Sequence, residues 1–432
     1  MTSLGPQHHR IVIVGGGTAG IITAQLLQRA GQQDIALIEP SPAHFYQPLW
    51  TLVGAGAARI EASVRPEARF IPPSVRWLHD SVAELDPARQ RLTTASGLRV
   101  GYDFLVLAPG IELDWQRIPG LLEAVNYGHA STNYAYDLAP QTWRLIRDCR
   151  HGIALFHMPA TPIKCPGAPQ KIMYLAADYF RRRGRQVHVL YGCATPTIFG
   201  ARRYAAVLEQ VLARYEIDAR FNHELIEVRP ERNEAIFRRK GADAELGDRV
   251  TVPYAMLHVV PPQRAPAFIR ESPLADPKAP REGWVKVHPN TLQTPDYPNV
   301  FALGDVAGTP NSKTGAAALH QAHVVAANLL ALQQDRPPAM GYNGYIACPI
   351  VTGYGRMLLC ELDYSGAPAP SLPFLNTFRE RRDMWLLKKY GLPWLYWHVL
   401  LRGGLPPLMH KVEGVPSEAL AAADTQARGV AS

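Results

Sequence analysis

The stretch Gly15-Gly16-Gly17-Thr18-Ala19-Gly20 limits what this chain can fold into more than any other. It follows Ile11-Val12-Ile13-Val14, a continuously apolar run that reads as a buried strand. It precedes Ile21 to Ala30, which reads as a helix with an apolar face, and Asp34 to Ile38 then reads as a second strand ending in Glu39. A Gly-x-Gly-x-x-Gly alone is weak. Between a strand and a helix, with an acid about 20 residues beyond the last glycine, it specifies a dinucleotide-binding βαβ unit. Gly15, Gly17 and Gly20 let the backbone approach a pyrophosphate at the helix N-terminus. Glu39 is placed to accept hydrogen bonds from a ribose diol. The competing reading is a tight glycine turn without ligand.

Two further elements belong with this one. Leu105-Val106-Leu107-Ala108-Pro109-Gly110 is an apolar strand ending in a turn at Gly110, and Val300-Phe301-Ala302-Leu303-Gly304-Asp305 is a strand leading into Gly-Asp, after which Asn311 to Leu330 reads as a helix. Between them lies a second α/β unit: a strand at Ile153 to Phe156, a helix from Ile172 to Arg183, a strand Val187 to Tyr191 and a helix Tyr204 to Arg214. Pro261 to Pro280 is Pro-rich and reads as connecting loop. The expected architecture is α/β, with two Rossmann-like dinucleotide-binding domains plus a C-terminal amphipathic membrane-association segment. A discontinuous first domain takes residues 1–112 and 289–345, and a second Rossmann-like domain takes 113–288. Residues 346–415 form the C-terminal region and 416–432 a flexible tail.

The three elements of the first domain resemble the FAD domains of two-dinucleotide-domain flavoproteins. The resemblance implies noncovalent FAD, a bond from Asp305 to a ribityl hydroxyl, and a helix N-terminus aimed at the flavin pyrimidine. Lys313 falls in the first turn of that helix, where its charge would stabilise an anionic reduced flavin; the plainer reading is a solvated lysine.

At the place where a flavin reductase would carry its second glycine-rich loop, this chain has Thr161-Pro162-Ile163-Lys164-Cys165-Pro166-Gly167-Ala168-Pro169-Gln170-Lys171. Its prolines hamper a tight turn and remove amide donors that a nicotinamide dinucleotide needs. What the loop offers instead is Cys165, flanked by Lys164 and Lys171 near a helix N-terminus, all of which favour thiolate. A second cysteine, Cys348, comes shortly after the flavin-facing helix. A disulfide between the two could be opened by sulfide to leave a persulfide, the freed thiolate then passing its electrons to the flavin.

The segment Pro162-Ile163-Lys164-Cys165-Pro166-Gly167-Ala168-Pro169-Gln170-Lys171-Ile172-Met173-Tyr174-Leu175 closely resembles that around one redox cysteine of sulfide:quinone oxidoreductases, most of all the branch that includes the mitochondrial enzyme. Cys348-Pro349-Ile350-Val351-Thr352-Gly353-Tyr354 is similar to the segment around its partner, and Asn311-Ser312-Lys313-Thr314-Gly315-Ala316-Ala317 also resembles that family. The likeness runs from about Arg10 to Arg402. It implies transfer of electrons from sulfide through FAD to quinone, with Cys165, Cys348 and Lys171 at the reacting centre. The sulfane product passes to a small acceptor such as sulfite, a thiol or a second sulfide. Phe45, Tyr46, Pro48 and Tyr354 are candidates to line the quinone route, against the plainer reading of aromatic packing. One departure is Val306 after Gly304-Asp305, where relatives can carry Cys.

Three other readings stand beside this one. A type II NADH:quinone oxidoreductase would share the FAD domain and membrane segment but needs a nucleotide loop. A non-catalytic flavin-binding membrane partner would bind flavin that neither sulfide nor quinone changes. A sulfide dehydrogenase serving a cytochrome would normally be exported.

Composition narrows the setting. With 432 residues, 47% of them hydrophobic, the chain can bury a large core. Its formal charge of +8 reads as a solvated basic surface or as attraction to anionic lipid headgroups or substrate. No basic cluster sits in a nucleic-acid-binding motif, so nucleic acid is not an expected partner. The longest stretch without a formal charge, Thr314 to Gln334, holds two His, three Gln and an Asn and reads as a soluble helix. Five cysteines with no Cys-x-x-Cys make neither a disulfide framework nor a metal site. Cys149, Cys193 and Cys360 read as buried small apolar residues. From Met384 to Arg402, three tryptophans, two tyrosines and several leucines are interleaved with Lys388, Lys389 and Arg402. That mix, broken by Pro393, suits a segment lying in the headgroup region, as against a core-packed helix or homo-oligomer interface. The expected location is peripheral, on the cytoplasmic face of a bacterial inner membrane, since no leader precedes the first strand.

Overall fold

The computed structural model describes residues 7–160, 162–240 and 248–405; the tail expected at 416–432 lies outside them. Two sheets carry the structure, the first mixed with a parallel centre and the second parallel throughout. In the first, Gln7–Val14 lies between Ile35–Ile38 and Arg99–Leu107, parallel to both. Val75–Leu78 extends one edge in parallel. The nine-residue strand Arg99–Leu107 divides its other edge. Arg91–Thr94 pairs antiparallel with its start, and Val300–Ala302 pairs parallel with its end. A strand from far down the chain therefore completes the first sheet. Ile11 to Val14 and Ile35 to Ile38 are buried throughout, as strands covered on both faces must be.

The second sheet is parallel, in the order Ala130–Ser131, Met256–His258, His151–Met158, Gln186–Cys193, Asp218–Arg220. An antiparallel meander, His223–Arg229, Glu234–Arg239 and Arg249–Pro253, packs beside it. The chain passes between the sheets at Glu112–Leu113 and at Gln263–Arg264, and these two passages pair antiparallel. Pro261 to Pro280 is thus more than the loop expected there. It holds that short strand and a turn of helix at Ala267–Arg270, started by Pro266.

Several boundaries moved for physical reasons. The helix after the cysteine loop is Ala168–Arg182, starting four residues before the expected Ile172. Pro169 sits in its first turn, where a missing N–H costs no hydrogen bond. The helix after Asp305 is Gly315–Leu332, not Asn311 to Leu330. Thr314 has extended backbone and caps the helix, its hydroxyl accepting from the Ala317 N–H at 3.1 Å. Lys313 therefore stands before the helix, not in its first turn. Gly315–Leu332 is also the one described helix long and apolar enough to cross a membrane. It is mostly buried and packs against Thr18–Arg29 and the strand Ile346–Gly353.

After this helix comes an antiparallel hairpin, Ile346–Gly353 with Arg356–Leu362. The chain ends its described course in Arg382–Leu386, a π turn at Leu387–Gly391, the helix Leu392–His398 with Pro393 in its first turn, and a 3₁₀ turn at Leu400–Arg402. One side of this segment, Trp385, Tyr396, Trp397 and Leu401, is buried. Leu386, Tyr390 and Trp394, at successive four-residue steps, are 49%, 61% and 61% exposed.

Thr314→Ala should cost about 1 kcal/mol of stability through the lost cap, and Thr314→Ser only a few tenths. Urea unfolding of the two variants beside the parent chain measures the difference.

Candidate active site

The site lies where the second sheet's central strand, the hairpin and the segment before Gly315–Leu332 converge. His151–Met158 delivers the cysteine loop at its C-terminal end. Lys164 bridges to Lys313, and the Cys165 N–H donates to the Lys313 carbonyl at 2.6 Å. The Cys165 carbonyl accepts from the Ala168 N–H at 2.8 Å and from the Tyr134 hydroxyl at 3.1 Å. These bonds hold Cys165 at φ +47°, a left-handed conformation that a non-glycine residue rarely adopts.

The helix Ala168–Arg182 packs against Ile346–Gly353 and so brings Cys348 to Cys165. The Cys348 sulfur rests on Gly167. A β-carbon there would stand 2.5 Å from it, so any side chain at 167 would displace the sulfur. One turn into the helix, buried Lys171 points back and its ammonium donates to the Cys165 sulfur at 3.1 Å. A hydrogen bond from Cys348, reinforced by the charge of Lys171, holds the Cys165 thiol well below its usual range despite burial. The same contact, together with burial, pushes Cys348 well up. Burial works against the charge on Lys171, but the sulfurs of Cys165 and Cys348 outweigh it and keep the lysine protonated. Cys165 is partly exposed as a residue and Cys348 is buried.

The other cysteines divide into two groups. Cys149 ends a helix, and Cys193 ends a strand beside Thr195, opposite Met158. Cys360 is buried directly across the hairpin from Cys348.

Glu39 accepts from the Gly16 N–H at 2.6 Å and from the Ser41 N–H at 2.7 Å, which fixes it beside the glycine turn. Gly15, at φ +101°, could not carry a β-carbon, which would fall 2.3 Å from the Ala108 carbonyl oxygen. Gly17 and Gly110 face open space instead. The helix Thr18–Arg29 has no side-chain cap and no acid in its first turn, so its amides are available to an anion. Gly304-Asp305 follows the inserted strand Val300–Ala302. Buried Lys313 donates to the Ala307 carbonyl at 2.8 Å and lies 4.1 Å from the centre of the Trp284 ring. Burial pushes it down to about 8, with Asp305 opposing. An open glycine turn, a bare helix end, an acid and a lysine beside the cysteine loop form a cradle that fits a flavin dinucleotide.

The aromatic candidates do not share one wall. The Tyr46 ring lies tilted against that of Tyr396, centres 4.4 Å apart, and the Pro48 carbonyl accepts from Lys388 at 2.8 Å, so both meet the C-terminal segment. Phe45 turns toward Tyr136 and Trp50. Tyr354 donates to the Ala55 carbonyl and lies near Trp385. Lys388 is a residue the sequence reading did not single out. It is fully buried, and burial, with Lys171 as a like charge, pushes it down to about 7. Its signal was a lysine pair inside an aromatic run, where the inward member could not be told from the outward one. Tyr134 carried no signal at all. The C-terminal segment is tied to the glycine turn by a buried chain. Thr18 meets the Tyr396 hydroxyl at 2.7 Å, Tyr396 meets His44 at 2.7 Å, and His44 meets Glu67 at 2.9 Å.

Residues 9–149 match the pyridine nucleotide-disulphide oxidoreductase family. The chain is 41% identical over 410 residues to the mitochondrial sulfide:quinone oxidoreductase of Mus musculus, covering 94% of this chain and 89% of that protein. It is 38% identical to the mitochondrial sulfide:quinone oxidoreductase of Dictyostelium discoideum, covering 91% and 86%. Among solved structures, the sulfide:quinone oxidoreductase of Aquifex aeolicus superposes with a TM-score of 0.78 at 20% identity, over 95% of this chain and 97% of that one.

Replacing Lys171 by Met removes the ammonium that reinforces the Cys348 hydrogen bond in holding Cys165 acidic. In the reduced protein, the acid limb of Cys165 alkylation by iodoacetamide should then move to higher pH by about 1–3 units.

Proposed function

The chain belongs to the sulfide:quinone oxidoreductases, a flavoprotein family, and from that premise we propose that it oxidises sulfide at a Cys165–Cys348 disulfide and reduces a membrane quinone through noncovalently bound FAD. The observation that carries this reading is the Cys165–Lys171–Cys348 cluster, hydrogen-bonded through Lys313 to the flavin cradle.

The two sulfurs are unequal, and that sets the direction of attack. In disulfide exchange the more acidic thiol leaves faster. Hydrosulfide therefore adds to the Cys348 sulfur and breaks the S–S bond. Cys165 leaves as a thiolate beside Lys171, and Cys348 holds the persulfide. Gly15, Gly17, Gly20, Glu39, Gly110, Asp305 and Lys313 would hold FAD, which would supply a two-electron acceptor for that thiolate. Once the sulfane sulfur has gone to sulfite, a thiol or a second sulfide, Cys348 re-forms the disulfide with Cys165, the two electrons released going to the flavin acceptor and on to quinone. Lys171 stays protonated and offsets the charge on the sulfurs. Lys388, lowered to about 7, can hold or release a proton between Tyr46, Pro48 and the cysteine pair.

We assign the flavin-binding part to 1–112 with 289–345 and the sulfur-bearing part to 113–288, with the quinone entering past 346–415. The outward stripe Leu386, Tyr390 and Trp394, with Lys389 beside it, is the surface we place among lipid headgroups. A nicotinamide donor is the weaker reading, because the helix end it would need opens with Pro169 and is filled by the two sulfurs.

Anaerobic sulfide should bleach the flavin band and a soluble quinone should restore it, while NADH leaves it unchanged. Cys165→Ser and Cys348→Ser should each abolish the bleaching; retention in both would remove the mechanism. Tyr390→Ala with Trp394→Ala should weaken binding to anionic lipid vesicles by about 10-fold or more, measured by co-sedimentation.

A further inference from the structure

The cysteine pair has a third sulfur beside it. Cys360 is the cross-strand partner of Cys348 in the hairpin Ile346–Gly353/Arg356–Leu362. Directly opposed residues of an antiparallel pair have Cα atoms about 4.5–5.5 Å apart, inside the roughly 4.4–6.8 Å that a disulfide spans. Opposed residues also project to the same face of the hairpin, so Cys360 shares the side on which Cys348 meets Gly167 and Lys171. The charge on Lys171 acts on all three sulfurs. Cys149 and Cys193 have no such neighbour.

We propose that Cys360 is a third redox-active thiol, which takes Cys348 from the Cys165–Cys348 disulfide to form a cross-strand Cys348–Cys360 disulfide. The inference rests on the reading that Cys165 and Cys348 form a disulfide. In the exchange, the Cys360 sulfur attacks Cys348, the Cys348–Cys360 bond forms, and the Cys165–Cys348 bond breaks. Cys165 leaves as a thiolate and the Cys360 proton passes to water. One disulfide is consumed and one is made, so no oxidant is needed. Burial raises the Cys360 thiol, which keeps it mostly protonated and makes the exchange slow beside sulfide attack. The product holds Cys348 in the hairpin and leaves Cys165 reduced, a reserve state that must revert before sulfide is oxidised at the pair.

The test is a disulfide map of the FAD-loaded protein after oxidation with excess soluble quinone. Acid quenching, alkylation with N-ethylmaleimide during denaturation and unreduced digestion come before mass spectrometry. A Cys348–Cys360 peptide should account for about a tenth or more of the Cys348-containing material, beside the Cys165–Cys348 peptide. In stopped flow, the parent protein should show a slow phase of flavin reduction by sulfide that Cys360→Ser lacks. Cys360 fully alkylated, with only the Cys165–Cys348 peptide found, overturns this proposal and leaves the proposed function standing. Absence of the Cys165–Cys348 peptide overturns the proposed function itself, whatever Cys360 does.

Discussion

The hydrogen bond from the Cys165 N–H to the Lys313 carbonyl, with the Lys164–Lys313 bridge around it, joins the two halves of the chemistry. Cys165 belongs to a loop of the second sheet, and Lys313 leads into the helix that follows the first sheet's last strand. Without that link the sulfur pair and the flavin cradle would sit on separate α/β units joined near the cysteine loop by side-chain bonds such as Lys164 to Gln47. With it, the backbone of the sulfur-bearing turn is registered against the backbone beside Asp305. The strained φ at Cys165 is held from both sides, by Lys313 on its amide and by Ala168 and Tyr134 on its carbonyl. A transfer of electrons from these sulfurs to a flavin in the cradle would depend on such fixed alignment.

Much of this was legible in the sequence because its signals are local. The glycine turn, its flanking strand and helix, Glu39 and Gly304-Asp305 each lie within a short window, and each has a backbone reason for its residue types. The cysteine loop was legible for the same reason: a proline-rich turn with flanking lysines before a helix. The pairing of Cys165 with Cys348 was not a local fact. Its warrant in the sequence was resemblance, and its physical cause is the packing of Ala168–Arg182 on Ile346–Gly353. Lys388 and Tyr134 escaped because burial decides their roles, and burial depends on which side of a segment meets the rest of the fold. Lys313 was placed inside its helix, which in fact starts at Gly315 and not at Asn311, because Thr314, a capping residue, was not read as one.

The C-terminal segment shows how an amphipathic run is shared between two environments. Tyr396 and Trp397 pack on Tyr46 and Phe70, while Leu386, Tyr390 and Trp394 face outward. The inward face is more than apolar packing. The chain Thr18–Tyr396–His44–Glu67 runs from the first residue of the dinucleotide helix to a carboxyl that burial pushes up. The outer surface of the molecule is thereby coupled to the geometry of the glycine turn by directional bonds, which tolerate less sliding than aromatic contact does.

The insertion of Val300–Ala302 beside Arg99–Leu107 has a consequence for how the chain is made. During synthesis the second sheet can close as soon as residues 130–258 have emerged, but the first must wait for a strand that comes some forty residues later, and the hairpin that bears Cys348 later still. For that interval Cys165 sits on a finished scaffold without its partner. A nascent chain therefore carries this thiol before the Cys348 contact that most lowers it has formed, and the order of the segments along the chain delays redox competence until the protein is nearly complete.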